Sequence, residues 1–113
     1  MSFHVVVTRM AREEIADAVR WIGERSPDAA VRWLDGIGQT IAGLNEFPTR
    51  CAIAPETDTI GIEIRQQIYG RRSGRYRILF VVRGDVVHVI HVRHGARDVM
   101  QPDDVELPPR DVS

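Results

Sequence analysis

The chain has 113 residues and a mass of 12.8 kDa, which is the size of one domain and too small for two ordinary ones. Hydrophobic residues at 43% and charged residues at 27% match the globular average, which excludes a disordered chain. The lone cysteine, Cys51, excludes an internal disulfide and any Cys-rich zinc module. The formal net charge of −1 hides a segregation: residues 63–97 hold eight arginines against two acids, residues 1–62 six against nine, and residues 98–113 one against five. Every cation is arginine. A basic third between two acidic ones points to phosphates or an acidic partner, while the near-zero total argues against indiscriminate coating of nucleic acid.

The first predicted element is a short strand, Phe3 to Val7. Thr8 is an N-cap for a helix from Arg9 to Arg25, in which Ala11, Ile15, Ala18 and Ile22 recur at helical spacing. Ser26-Pro27-Asp28 closes that helix and opens the next: Ser26 caps, Pro27 suits the first helical position and Asp28 suits the dipole. The second helix runs to about Asn45 on a stripe of Ala30, Leu34, Ile37, Ile41 and Leu44, and Pro48 stops it. The tight link makes the two helices an antiparallel hairpin. Residues 49–61 have no period and read as a loop. The period then becomes two. A strand with Ile62, Ile64 and Ile68 is followed by the turn Gly70–Gly74, a strand Arg75–Val82, a two-residue turn at Gly84-Asp85 and a last strand Val86–Arg93. The fold expected is α+β: a two-helix hairpin packed on a small antiparallel sheet in the order β-α-α-β-β-β. Its domain spans residues 1–101, followed by an acidic, Pro-containing tail over 102–113.

With Gly84-Asp85 as the loop, Val82 should face Val87, Phe80 face Val89 and Ile78 face His91. Leu79, Val81, Ile90 and Val92 then share the opposite face, and both faces are apolar. Two helices cover one face, so this second strip should lie against a partner chain.

Metal chemistry is not expected. His88, His91 and His94 form an H-x-x-H-x-x-H pattern, but on a regular strand His91 points away from the other two, and His88 and His94 stand roughly 20 Å apart. Cys51 and Ser73 lack any nucleophile frame, and no cofactor fingerprint is present. No apolar run reaches the ~20 residues of a membrane span, and Met1–Thr8 has no secretory pattern; a cytoplasmic protein is expected. What remains is the arginine set, Arg65, Arg71, Arg72, Arg75, Arg77, Arg93 and Arg97, interleaved with Tyr69 and Tyr76. Its guanidinium forks suit phosphate or carboxylate alike.

The order of elements, Asn45-Glu46-Phe47-Pro48 after the second helix, Gly74-Arg75-Tyr76-Arg77-Ile78-Leu79-Phe80 opening a strand, and Val89–Asp98 closing the last one together resemble the RelE/ParE superfamily of bacterial toxins. The resemblance runs from about residue 3 to 100. It implies a toxin of a type II toxin–antitoxin pair, of the kind associated with plasmid stabilisation and growth arrest, neutralised by a cognate antitoxin in an oligomer of toxin–antitoxin heterodimers. The strip Leu79, Val81, Ile90 and Val92 becomes the expected antitoxin contact. The target is either the ribosome with its mRNA (RelE-like, an mRNA interferase) or DNA gyrase (ParE-like, an inhibitor that binds). The catalytic or target-binding residues implied are Arg65, Arg77, Arg93, His94, Arg97 and Tyr76, with Arg71, Arg72 and Arg75 as a basic hairpin. The cleavage set is incomplete: Gln67 replaces a second cation, Gly95 stands where a catalytic arginine is expected, and Met100 or Gln101 where a tyrosine is. Arginine stabilises a phosphorane but is a poor base. These gaps tilt the expectation to the gyrase branch, with the endoribonuclease as alternative and a non-toxic partner-binding member as a third reading.

Overall fold

The computed structural model describes residues 2–95, 97 and 99–108. Strand β1 (His4–Val7) leads into helix α1 (Arg9–Arg25) and helix α2 (Pro27–Ala42). Thr8 and Ser26 cap as expected: Thr8 Oγ1 accepts from the Ala11 amide and Ser26 Oγ from the Ala29 amide. A 3-10 turn over Gly43–Asn45 extends α2 to the predicted end. The segment expected to be a loop holds a two-residue strand β2 (Ala52–Ile53) and a short helix α3 (Glu56–Ile60). Strands β3 (Arg65–Tyr69), β4 (Tyr76–Arg83) and β5 (Val86–His94) complete a five-stranded sheet in the order β1-β5-β4-β3-β2. The sheet is mixed, not antiparallel throughout, because β1 enters parallel to β5.

Ala11, Ile37, Ile41 and Leu44 pack on Ile78, Phe80, Val87, Val89 and Val92 to form the core on the helical side. Leu34, expected in that stripe, is exposed; Trp33 turns inward instead and stacks edge-on against Tyr69 and Tyr76. Tyr69 donates its hydroxyl to the Trp33 carbonyl at 3.0 Å, in space that a Cβ on Gly36 would fill. One of the α2 glycines therefore marks a close approach, whereas Gly38 faces open space.

The register holds near the turn and then slips. Gly84 takes φ 59, Val82 pairs with Val87 and Phe80 with Val89 as expected, but Ile78 pairs with Val92 and Leu79 with His91. Ile90 is the additional residue of a β-bulge, and beyond a bulge each side chain changes face. Val92 thus moves to the helical core, and His91 joins Leu79 on the other side.

That other side is not open. Leu79, Val81 and Ile90 are at most 3% exposed, packed with Ala54, Ile64 and Met100 under Ile60, Ile62, Val105 and Leu107. The expectation of an uncovered strip is corrected: this chain's own 54–64 segment and its C-terminal residues lie across it. The tail is pinned as far as Pro108. The Met100 amide donates to Glu56 at 3.0 Å, the Glu106 amide to His91 Nε2 at 2.9 Å, and Arg83 Nη1 to the Pro108 carbonyl at 3.0 Å. Because His91 Nε2 accepts, Nδ1 carries the proton and donates to Glu14 Oε1 at 3.1 Å. Ala96 and Asp98 of the quoted motif, and tail residues 109–113, lie outside the described residues.

Candidate functional site

The arginines singled out in the sequence separate into three groups. Arg77 is the first. It is 8% exposed, and its guanidinium meets Glu56 end-on, Nη1 to Oε2 at 3.0 Å and Nη2 to Oε1 at 2.5 Å, while Nε donates to Gln66 at 3.0 Å. Glu56 is fully buried and also accepts the Met100 amide. Burial would raise the Glu56 pKa, but the hydrogen bonds from Arg77 and Met100, with the guanidinium's charge, outweigh it and hold the carboxyl below its ordinary value. Arg77 was expected to meet a target. Instead each of its three nitrogens donates inside the chain, and the pair ties α3 and the start of the C-terminal segment to β4. Glu56 is the residue that sequence reasoning missed; it stands 21 positions from Arg77, in a stretch without periodicity.

Arg65 is the second case. Its Nη1 bonds the Thr49 and Cys51 carbonyls at 2.9 and 2.7 Å, and its Nε bonds Glu63 at 3.2 Å. It fastens the segment after α2 onto β3. Burial raises the pKa of the neighbouring Cys51, with Arg65 and Arg50 offsetting part of the rise, and its thiol donates to Gln67. That is the signature of an inert thiol.

The third group faces a groove. Tyr76, Arg93, His94 and Arg97 line one groove of about 680 Å³ with Met10, Glu14, Asp17, Ala18, Trp21 and Val92. The strand pairing of Tyr76 with His94 creates it: their rings meet edge-on at 5.2 Å, and α1 supplies the opposite wall. Arg93 Nε is buried there without a hydrogen-bond partner among the described residues. Burial raises the Tyr76 pKa, and Arg97 offsets part of the rise. The phenol is therefore a weaker base source at neutral pH than a free tyrosine. A second, smaller groove of about 390 Å³ holds Arg72, Ser73, Arg75, Ile68 and Gly95 beside Arg77. The α1 residues of the large groove carried no sequence signal, because only the packing of α1 on β5 brings them there.

Among the described residues no group of three or more His, Cys, Asp or Glu could hold a metal ion. The bulge alters the expected histidine geometry, since His91 now shares a face with His88. Among the described residues no helix is long and apolar enough to cross a membrane.

The profile of the ParE toxin of type II toxin–antitoxin systems, parDE, matches residues 5–99. The chain belongs to this ParE toxin family. It is also 33% identical over 96 residues to toxin RelE1 of Caulobacter vibrioides, covering 84% of this chain and 96% of that one. In fold it resembles a chain of the chromosomal ParDE toxin–antitoxin system from P. aeruginosa, with a TM-score of 0.64 and 18% identity over 82% of this chain and 96% of the other. The RelE/ParE resemblance read from the sequence is thereby established, and with it a toxin of the type II class whose partner is a cognate antitoxin. For a ParE-family toxin the placement of Arg77 is informative, because that side chain stabilises the fold from within.

Proposed function

We propose that this toxin acts as a gyrase inhibitor by binding, without cutting RNA. The observation that carries the reading is the closed Arg77–Glu56 pair. The arginine that corresponds to a RelE-type cleavage residue has its charge paired with Glu56 and all three of its nitrogens bonded inside the chain. Arg65 is likewise spent on backbone carbonyls. Metal-free RNA cleavage needs a base for the 2′-hydroxyl and cations around the phosphorane. Here the two expected cations of β3 and β4 are withdrawn, and the groove's tyrosine has a raised pKa. A protein-binding groove needs neither. The groove between α1 and β5 offers Trp21, Met10 and Val92 as apolar surface with Arg93 and Arg97 at its rim.

Pulse labelling after induced expression tests this. DNA synthesis should fall before protein synthesis, and the purified chain should inhibit gyrase supercoiling. Protein synthesis falling first, with cleaved mRNA, would replace the reading. One observation favours that second reading, a ribosome-dependent endoribonuclease: Tyr76, His94, Arg93 and Arg97 do share a groove, so an acid–base pair and two cations lie within one concavity.

A further inference from the structure

Three arginines stand outside the internal ion pairs, and Arg75 Nε donates only within their own turn, to the Arg72 carbonyl at 3.4 Å. Arg71, Arg72 and Arg75 crowd the tip between β3 and β4, all exposed, and none enters an ion pair among the described residues. Elsewhere Arg9, Arg20, Arg65 and Arg77 each have a carboxylate. The nearest acid in sequence on the β3 side, Glu63, is taken by Arg65.

The tip also has a specific backbone geometry. Gly70 takes φ 98, and a Cβ there would come within 2.5 Å of the Gly74 carbonyl oxygen. Arg72 adopts φ 54, a left-handed conformation that few non-glycine residues take. The Gly95 amide donates to the Arg75 carbonyl at 2.6 Å, so the tip is fastened to the end of β5. A left-handed arginine in an exposed turn closed by its own backbone bonds, from the Gly74 amide to the Arg71 carbonyl and from the Arg75 amide to the Arg72 carbonyl, is local strain of the kind that gathers at binding sites. The turn thus brings three exposed arginines to one place on the surface.

The flanking aromatics indicate what kind of anion fits. A single-stranded nucleic acid is held by bases stacked on aromatic faces. Neither tyrosine that flanks the tip lines the groove there: Tyr69 and Tyr76 pack edge-on against Trp33, the Tyr69 hydroxyl is bonded to the Trp33 carbonyl, and Tyr76 lines the separate groove beside α1. The tip therefore has cations and no platform. We infer that Arg71, Arg72 and Arg75 form a sequence-independent grip for the phosphate backbone of duplex DNA. The grip rests on the gyrase reading above for its occasion in the cell, since gyrase holds such a duplex.

The test is fluorescence anisotropy of a 30-base-pair duplex titrated with the full chain between about 50 and 200 mM salt, where each phosphate contact contributes about 0.9 to the slope of log affinity against log salt. Replacing the three arginines together (Arg71→Gln, Arg72→Asn, Arg75→Gln, with Asn at the left-handed position) should make the slope shallower by about 2.7, and these contacts account for about a 40-fold affinity change over that range. A control removing the same charge from the helices, Arg20→Gln with Arg25→Gln and Arg32→Gln, should leave the slope close to wild type. Circular dichroism checks that both variants fold. The inference is overturned if the duplex does not bind at low salt, if the helix control changes the slope as much as the tip variant, or if a single strand of equal length binds more tightly. Its failure is separable from failure of the gyrase reading: DNA synthesis falling first with no duplex binding removes the grip alone, whereas protein synthesis falling first with the tip-dependent slope intact removes the gyrase reading alone.

Discussion

Arg77 and Arg93 are cross-strand partners in the same hairpin, and they meet opposite fates. Two like charges directly opposite on neighbouring strands repel. The chain resolves this by carrying Glu56 into the core to neutralise Arg77, which leaves Arg93 with its charge at a groove and its Nε unpartnered among the described residues. One arginine is paired inside the fold and the other lines a groove. The comparison teaches that arginine in an apolar strand is not a sufficient sign of function; where its carboxylate comes from decides.

The largest expected effect breaks the first half of that comparison. Arg77→Ala leaves Glu56 buried and unpaired, which should cost about 3–5 kcal/mol in a denaturant melt, whereas replacing both partners by apolar residues (Arg77→Met with Glu56→Leu) should recover most of the loss. A wild-type midpoint for Arg77→Ala would show that the pair does not hold the fold. An Arg77→Ala, Arg93→Ala double variant would therefore lose toxicity through instability and could not identify a target contact.

Next comes the cover over Leu79, Val81 and Ile90. Met100→Ala should lose about 2–5 kcal/mol, because Met100 is 2% exposed in that core. Deleting residues 102–113 uncovers apolar surface, so light scattering should report self-association that the full chain does not show. A monodisperse truncated chain would mean that Val105 and Leu107 cover little.

The third effect is a pH dependence. The Glu56 pKa is lowered in the folded state, so its contribution to stability is fully present above the ordinary carboxylate value of 4.5 and is lost as pH falls through the folded value. Amide exchange at Met100 should rise over that acidic window in the wild type and lose this step in Glu56→Gln. The smallest effect sharpens the other half: Arg93→Ala should change stability by only about 0.5 kcal/mol, yet weaken gyrase inhibition. Unchanged inhibition by a folded Arg93→Ala would take Arg93 out of the target surface.

The helical hairpin was legible because its signals are local. Thr8, Ser26 and Pro27 act within one turn, and the period of Ala30, Ile37, Ile41 and Leu44 is a property of consecutive residues. The Gly84 turn and the register beside it were legible for the same reason. The bulge at Ile90 was not, since nothing in an unbroken apolar run marks the residue that will go unpaired; that one residue reassigned Val92 and His91. The site was half legible. Tyr76, Arg93, His94 and Arg97 do share a groove, while the α1 side of it, and the loss of Arg77 and Arg65 to internal partners, depend on contacts between distant segments.

The amino-acid sequence by itself determined the helix boundaries, the hairpin, the apolar faces of β4 and β5, the arginine-rich third and the family. Tertiary structure alone decided which of those arginines remain charged toward solvent and what covers the second face of the sheet. The physical reason is one of range. Caps, turns and periodicity are written within a few residues, whereas a buried carboxylate such as Glu56 finds its cation only when the chain closes on itself, and desolvation then fixes the pairing.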